Sequence, residues 1–131
     1  MMKDTSITFD HVHIISPDAH AAATWYVEKL HGEIERELVV QGAPQIYVRL
    51  AGIFLIIRGQ RTGEIAGDKN TLQWGIDHFG FTVDGDFGRY CDQLKERGVE
   101  FVLEPMDFSP TSRIAYIEDL DGTKVELLQR S

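Results

Sequence analysis

Phe9-Asp10-His11-Val12-His13-Ile14 and Ile76-Asp77-His78-Phe79-Gly80-Phe81 open the two halves of this chain on one signature. Each has an apolar residue, an Asp-His pair, and then a run rich in β-branched or aromatic side chains. Such runs read as strands, Ile7 to Ile15 in the first half and Gln73 to Val83 in the second. After the first, Ser16-Pro17-Asp18 reads as a helix start: Ser16 caps free N–H groups, Pro17 has no N–H to leave unpaired, and Asp18 suits the positive dipole end. Ala22, Ala23, Tyr26, Val27 and Leu30 form the helix's apolar stripe, and Gly32 ends it. Strands are expected at Glu33 to Val40, Gln45 to Ala51 and Ile53 to Arg58, separated by Gln41-Gly42-Ala43-Pro44 and Ala51-Gly52. The second half follows suit. Asp86 caps a helix from Phe87 to Arg97, with Phe87, Tyr90, Cys91 and Leu94 at helical spacing and Gly98 in the left-handed position after it. Strands at Val99 to Leu103, Arg113 to Glu118 and Lys124 to Gln129 complete it.

The chain is therefore read as an α+β protein of two βαβββ modules, about 7–58 and about 73–130, joined by a polar linker at 59–72. The closing strands also match, since Ile53-Phe54-Leu55-Ile56-Ile57-Arg58 lies over Val125-Glu126-Leu127-Leu128-Gln129-Arg130 and sets Phe54 against Glu126. A repeat of roughly 65 residues is too long for a solenoid and too short to make a sturdy domain alone. One domain spanning 1–131, with both modules in a curved, cup-like mixed sheet and helices outside, is the expected result.

Composition narrows the function. With 131 residues, 43% of them apolar, the chain can bury a core without staples, and one cysteine, Cys91, excludes an internal disulfide framework. The longest apolar run, Ile53 to Ile57, is far below the ~20 residues of a membrane-spanning helix, and Met1 to Ser6 lack a signal peptide's apolar core. A cytoplasmic location without membrane contact is expected. A net charge of −8, with Lys and Arg scattered, disfavours nucleic acid and favours a small-molecule substrate.

His11 and His78 hold equivalent places on equivalent strands. Glu126 lies inside the apolar run Val125-Glu126-Leu127-Leu128, where a carboxylate is costly to bury without a cation or hydrogen-bond partners. Two imidazoles and a carboxylate suit a divalent first-row metal and leave positions free for substrate, water or oxygen. Spacings of 67 and then 48 positions carry little by themselves; the repeat gives them weight.

The chain resembles the vicinal oxygen chelate superfamily, which includes glyoxalase I, extradiol dioxygenases, methylmalonyl-CoA epimerases, fosfomycin-resistance transferases and bleomycin-binding proteins. The resemblance is carried by Asp10-His11-Val12-His13-Ile14, Trp25-Tyr26-Val27-Glu28-Lys29-Leu30-His31-Gly32, Asp77-His78-Phe79-Gly80-Phe81 and Tyr116-Ile117-Glu118-Asp119-Leu120-Asp121-Gly122-Thr123-Lys124-Val125-Glu126-Leu127. Leu120 stands where many relatives have proline, and His31 where many have leucine. The resemblance places the metal ligands at His11, His78 and Glu126, in some relatives drawn from two chains, and implies a homodimer. It puts the fourth family position on Phe54, where glyoxalase I and the epimerases carry an acid or amide, so a standard glyoxalase is disfavoured.

Tyr116, ten residues before Glu126, matches a tyrosine that in extradiol-type relatives bonds the chelated substrate. The separate acid–base histidine of those enzymes has no counterpart in Gly59 to Asp77, and His13, on the face of His11, is the candidate replacement. Met106-Asp107-Phe108-Ser109-Pro110-Thr111-Ser112 replaces the cation-binding loop expected of a fosfomycin transferase. The expected function is a metal-dependent, dioxygenase-like enzyme acting on a small chelating substrate. Iron(II) is favoured, with manganese, nickel or zinc as alternatives, and Phe54, Ile56 and Tyr116 line the substrate pocket. A glyoxalase-like lyase or epimerase, and a metal-free drug-binding protein of the bleomycin-resistance kind, are the alternatives.

Overall fold

A computed structural model describes residues 5–68 and 71–131; residues 1–4, and 69–70 within the expected linker, lie outside the described part. The order is β1 (His11–Ile15), α1 (Ala19–Leu30), β2 (Glu33–Val40), β3 (Ala43–Leu50) and β4 (Ile53–Arg58), then β5 (Phe79–Thr82), α2 (Phe87–Glu96), β6 (Glu100–Ser109), β7 (Ser112–Glu118) and β8 (Lys124–Arg130). Both βαβββ modules are present. They form two mixed sheets, β1-β4-β3-β2 and β5-β8-β7-β6, which are not hydrogen-bonded to each other among the described residues. In each, the first strand runs parallel to the last and forms a free edge. No helix among the described residues is long and apolar enough to cross a membrane.

Strand lengths differ from the sequence reading where a partner runs out. Residues 7–10 do not join β1, because β4 begins only at Ile53 and the ladder opens with His11 beside Phe54. Residues 73–78 likewise precede the first rung, Phe79 beside Val125. Strand β6 instead runs on to Ser109, so most of the stretch read as a loop at 106–112 is hairpin ladder. Helix α1 is capped by Asp18, whose carboxylate accepts from Ala21 N, while Ser16 Oγ accepts from Asp18 N and shapes the approach. It ends at Leu30, and His31, one residue before Gly32, takes a left-handed conformation. Asp86 caps α2 and Gly98 is left-handed, as expected, with the last helical residue at Glu96.

Alternation along the strands divides each sheet into a core face and an open face. Ile46, Val48, Leu55 and Ile57 of module one and Ala115, Ile117, Val125 and Leu127 of module two are buried with Ala22, Ala23 and Tyr26 of α1 and Phe87, Cys91 and Leu94 of α2. Tyr26, fully buried, donates from its hydroxyl to Asp119 Oδ2 at 2.7 Å. Burial first, and the carboxylate second, push the Tyr26 pKa far upward, so it stays a donor. Asp119 also accepts from Asp121 N and Thr123 N, both at 2.9 Å, and so fixes the turn between β7 and β8. A second tie crosses the helix ends: Lys29 Nζ donates to Arg97 O, and Arg97 Nη1 donates to Lys29 O.

Gly32 is required for space and not for its φ, since a Cβ there would stand 2.6 Å from the buried Val48 Cγ1. Gly32→Ala is expected to destabilise the fold by about 1–3 kcal/mol through overpacking, and Tyr26→Phe by about 1–3 kcal/mol by removing a donor from a buried carboxylate. Urea unfolding measures both, and an unchanged midpoint in either would contradict the packing described.

Candidate functional site

The open face of module two gathers the second half's candidates. His78 immediately precedes β5, and on β7 and β8 Tyr116 lies directly across from Glu126. His78 Nε2 is 3.2 Å from Glu126 Oε2 and 3.4 Å from the Tyr116 hydroxyl, whose ring meets the imidazole edge-on at 4.9 Å. On the other side His78 Nδ1 is held by Asp77 Oδ2 at 2.8 Å. The Asp77 hydrogen bond, then that of Glu126, raise the His78 pKa against the opposing effect of burial. Burial and the Glu126 charge raise that of Tyr116, so its hydroxyl remains a donor. Gly80 is the neighbour of Glu126 on β5, and a Cβ there would come within 3.1 Å of Glu126 Cβ. The glycine therefore keeps space beside the carboxylate. Alongside lies an open cavity of about 470 Å³ lined by Phe108, Ile114, Tyr116, Glu126, Leu128 and Arg130 among others.

The open face of module one repeats half of this. His11 Nδ1 is held by Asp10 Oδ2 at 2.7 Å, as Asp77 holds His78, and His13 lies two residues on with ring centroids 6.3 Å apart. Burial, then Arg58, Arg61 and His11, lower the His13 pKa, so the ring is neutral and able to accept a proton at neutral pH. Phe54, opposite His11, sits beneath the Arg49 guanidinium at 4.6 Å and edge-on to Tyr47. Ile56 is nearly buried between His13 and Tyr47. Neither Phe54 nor Ile56 lines the module-two cavity.

The structure thus brings His78, Glu126 and Tyr116 together. His11 is not with them: among the described residues, no three His, Cys, Asp or Glu side chains stand close enough to hold an ion. The ladders also correct the repeat alignment. His13 pairs with Ile56 as Gly80 pairs with Glu126, so Ile56, not Phe54, is the counterpart of Glu126, and the core pairs Leu55/Ile57 and Val125/Leu127 then coincide. Closing strands compared by letters alone slip by two residues, because a two-residue slip preserves the in–out alternation. Sequence reasoning also missed Tyr47, which lies across from Ile56 as Tyr116 does from Glu126. It also gave no role to Asp10 and Asp77, although the repeated Asp-His pairs were a signal that could have found them.

The His78–Glu126 pair tests whether a metal fits. An imidazole nitrogen and a carboxylate oxygen share one point, and the other ring nitrogen is held by a carboxylate, the outer contact that fixes a metal-binding imidazole. The donor set fits, one ligand short within a single chain.

Paired βαβββ modules, each presenting an Asp-anchored histidine beside an open sheet face, define the class of fold. The sequence matches the Glyoxalase/Bleomycin resistance protein/Dioxygenase superfamily over residues 8–127, and the chain belongs to that superfamily. A probable lactoylglutathione lyase of Synechocystis is 38% identical over 65 residues, 49% of this chain and 49% of that relative, so the match spans about half of its length. The metallothiol transferase FosB of Staphylococcus epidermidis is 26% identical over 120 residues, 90% of this chain and 78% of the relative. Among solved structures, a glyoxylase/bleomycin resistance protein/dioxygenase domain from Frankia superposes with a TM-score of 0.79 at 21% identity, covering 97% of this chain and 94% of that one, which shows the shared fold.

Asp77→Asn is expected to lower the His78 pKa, and Glu126→Gln to lower it by less, following the order of their contributions. Titration of the His78 ring by NMR in metal-free protein reads both, and a pKa indifferent to Asp77 would contradict this geometry.

Proposed function

We propose that this protein is a divalent-metal-dependent enzyme acting on a small chelating substrate, with its metal site completed between two copies of the chain. His78 and Glu126 of one copy and the partner subunit's His11 would hold the ion. The convergence of His78 and Glu126, with Nδ1 of both histidines anchored and no third donor nearby, carries the reading. Free edges at β1 and β5, with Phe9, Trp74 and Ile76 exposed in the segments leading into them, favour a second copy as the missing half. A twofold contact would make two such sites at once.

Two imidazoles and a carboxylate suit iron(II), with manganese, nickel and zinc as alternatives. When bound, such an ion supplies Lewis acidity toward a pair of substrate oxygens and, in the case of iron(II), access to dioxygen chemistry. Tyr116, kept protonated, donates to a substrate oxygen next to His78. His13, kept neutral, accepts a proton from the substrate. Phe54 and Ile56 exclude water from module one's side of the cup. Ile56 at the counterpart of Glu126 removes a fourth ligand and leaves positions for two reactants, which supports dioxygenase-like chemistry. The neutral His13 supports a second reading, a lyase or epimerase using it as base, in keeping with the likeness to a probable lactoylglutathione lyase. The relative named as a metallothiol transferase supports a metal under either reading.

Chelator-stripped protein titrated anaerobically with iron(II), manganese or zinc is expected to take up about one ion per chain. His11→Ala, His78→Ala and Glu126→Ala should each weaken uptake by about 100-fold or more, as for lost ligands, and His13→Ala should leave it unchanged. No uptake of any ion would select the metal-free binding protein. With the iron(II)-loaded protein and catechol, oxygen consumption is expected. Solvent-proton exchange into a 2-hydroxy ketone without oxygen consumption would select the lyase reading.

A further inference from the structure

We propose that Tyr47 is a substrate-reading residue, a hydroxyl fixed as a hydrogen-bond donor by Arg61 and Gln45, which receives a carboxylate or phosphate oxygen of the ligand on the open face of module one.

The direction of each bond follows from chemistry. Gln45 is buried, and its Oε1 is 2.8 Å from Arg61 Nη2 while its Nε2 is 3.0 Å from the Tyr47 hydroxyl. A guanidinium has no acceptor, so the atom facing Arg61 must be the amide oxygen, and the atom facing Tyr47 must be the amide nitrogen. The amide nitrogen only donates. Tyr47 Oη is therefore the acceptor in that bond, and its own hydrogen must find another oxygen. Among the described residues no acceptor is recorded for it, and Tyr47 is only half buried. A cation begins the relay, so the phenolic hydrogen at its end is polarised toward an anion.

The surroundings agree. His13, Ile56, Tyr47 and Arg36 form one row across β1, β4, β3 and β2, and the Arg36 guanidinium stands 5.5 Å from the Tyr47 ring centre. Among the described residues Arg36 has no recorded ion pair. Glu64 accepts from the Arg58 guanidinium and from the Arg61 backbone N–H, while the Arg61 guanidinium reaches Gln45. Arg36 lies in the row, and Arg58 and Arg61 are close enough to His13 to act on it, so arginines gather at this face of a chain whose net charge is −8. Such a chain repels anions from most of its surface, so a local cationic face is what lets an anionic ligand settle. Ile56 and Phe54 supply apolar contact beside it, which fits an anionic group carried on an apolar body.

Tyr47 also occupies in its module the place that Tyr116 occupies in the other: Tyr116 lies across from Glu126, Tyr47 across from Ile56. The carboxylate is missing in module one and an amide–guanidinium relay stands beside the tyrosine. The inference rests on the preceding reading in one respect, that both open faces line the same cup. In that cup Tyr116 addresses the chelating end of the ligand and Tyr47 its anionic end.

The experiment uses the full chain, stripped of metal, with benzoate, inorganic phosphate and benzyl alcohol as probes and NMR-detected titration as readout. Benzoate is expected to bind at least about tenfold more tightly than benzyl alcohol, the scale of one charge-assisted hydrogen bond. Tyr47→Phe should abolish that preference while the protein stays folded by NMR, and Arg61→Met should reduce it. Phosphate binding lost in Tyr47→Phe would assign the site to phosphate esters as well, whereas no phosphate binding beside retained benzoate binding restricts it to carboxylates. Equal affinities for benzoate and benzyl alcohol, or a preference unchanged in Tyr47→Phe, would overturn the proposal. Failure of the metal reading would show separately, as absent ion uptake, because these titrations contain no metal.

Discussion

A buried phenol bonded to a buried carboxylate, Tyr26 to Asp119, is the contact on which the rest depends. It joins the first helix to the last hairpin across 93 positions of sequence. Asp119 gathers two backbone N–H groups of its own turn as well, so one side chain both shapes the hairpin and fastens it to module one. A charge-accepted hydrogen bond of this kind contributes about 1.5–3 kcal/mol, a sizeable share of the margin that holds a small domain together. The hairpin delivers Tyr116 and Glu126, so the geometry of the open face follows from where that turn is clamped. The reciprocal contacts of Lys29 and Arg97 add a second tie at the helix ends.

The two modules share a plan and divide the labour. Both anchor a histidine through the preceding aspartate, and both place a tyrosine across from the middle of the closing strand. Module two keeps the carboxylate there and opens a cavity beside it. Module one replaces it with Ile56 and surrounds its tyrosine with arginine and glutamine side chains. A duplicated fold can separate functions in this way because the core face, alternating with the open face, is indifferent to what the open face carries.

Much of this was legible in the chain. Repeated Asp-His pairs and the apolar spacing of both helices gave the βαβββ order, and an acid within Val125-Glu126-Leu127-Leu128 marked the carboxylate that meets His78 Nε2. Strand ends were less legible, since whether residues 7–10 or 73–78 join a sheet depends on how far a distant partner extends. The register between Ile56 and Glu126 was hidden because two alignments two residues apart alternate identically. Tyr47 was hidden for a different reason: its role depends on Arg61 and Gln45 being neighbours in space, and nothing in their spacing announces it. The separation of His11 from His78 was likewise a matter of how two sheets sit, which local pattern does not encode.

The central claim, that one active site draws on two chains, is tested most directly by mixing inactive variants. His11→Ala and Glu126→Ala proteins, unfolded together and refolded, would form mixed dimers in which one site carries both lesions and the other carries none. Metal binding in the mixture, absent from either variant alone, is the predicted result. A mixture that binds no metal, while mixed dimers are shown to be present, would place all three ligands in one chain or none and would contradict the account.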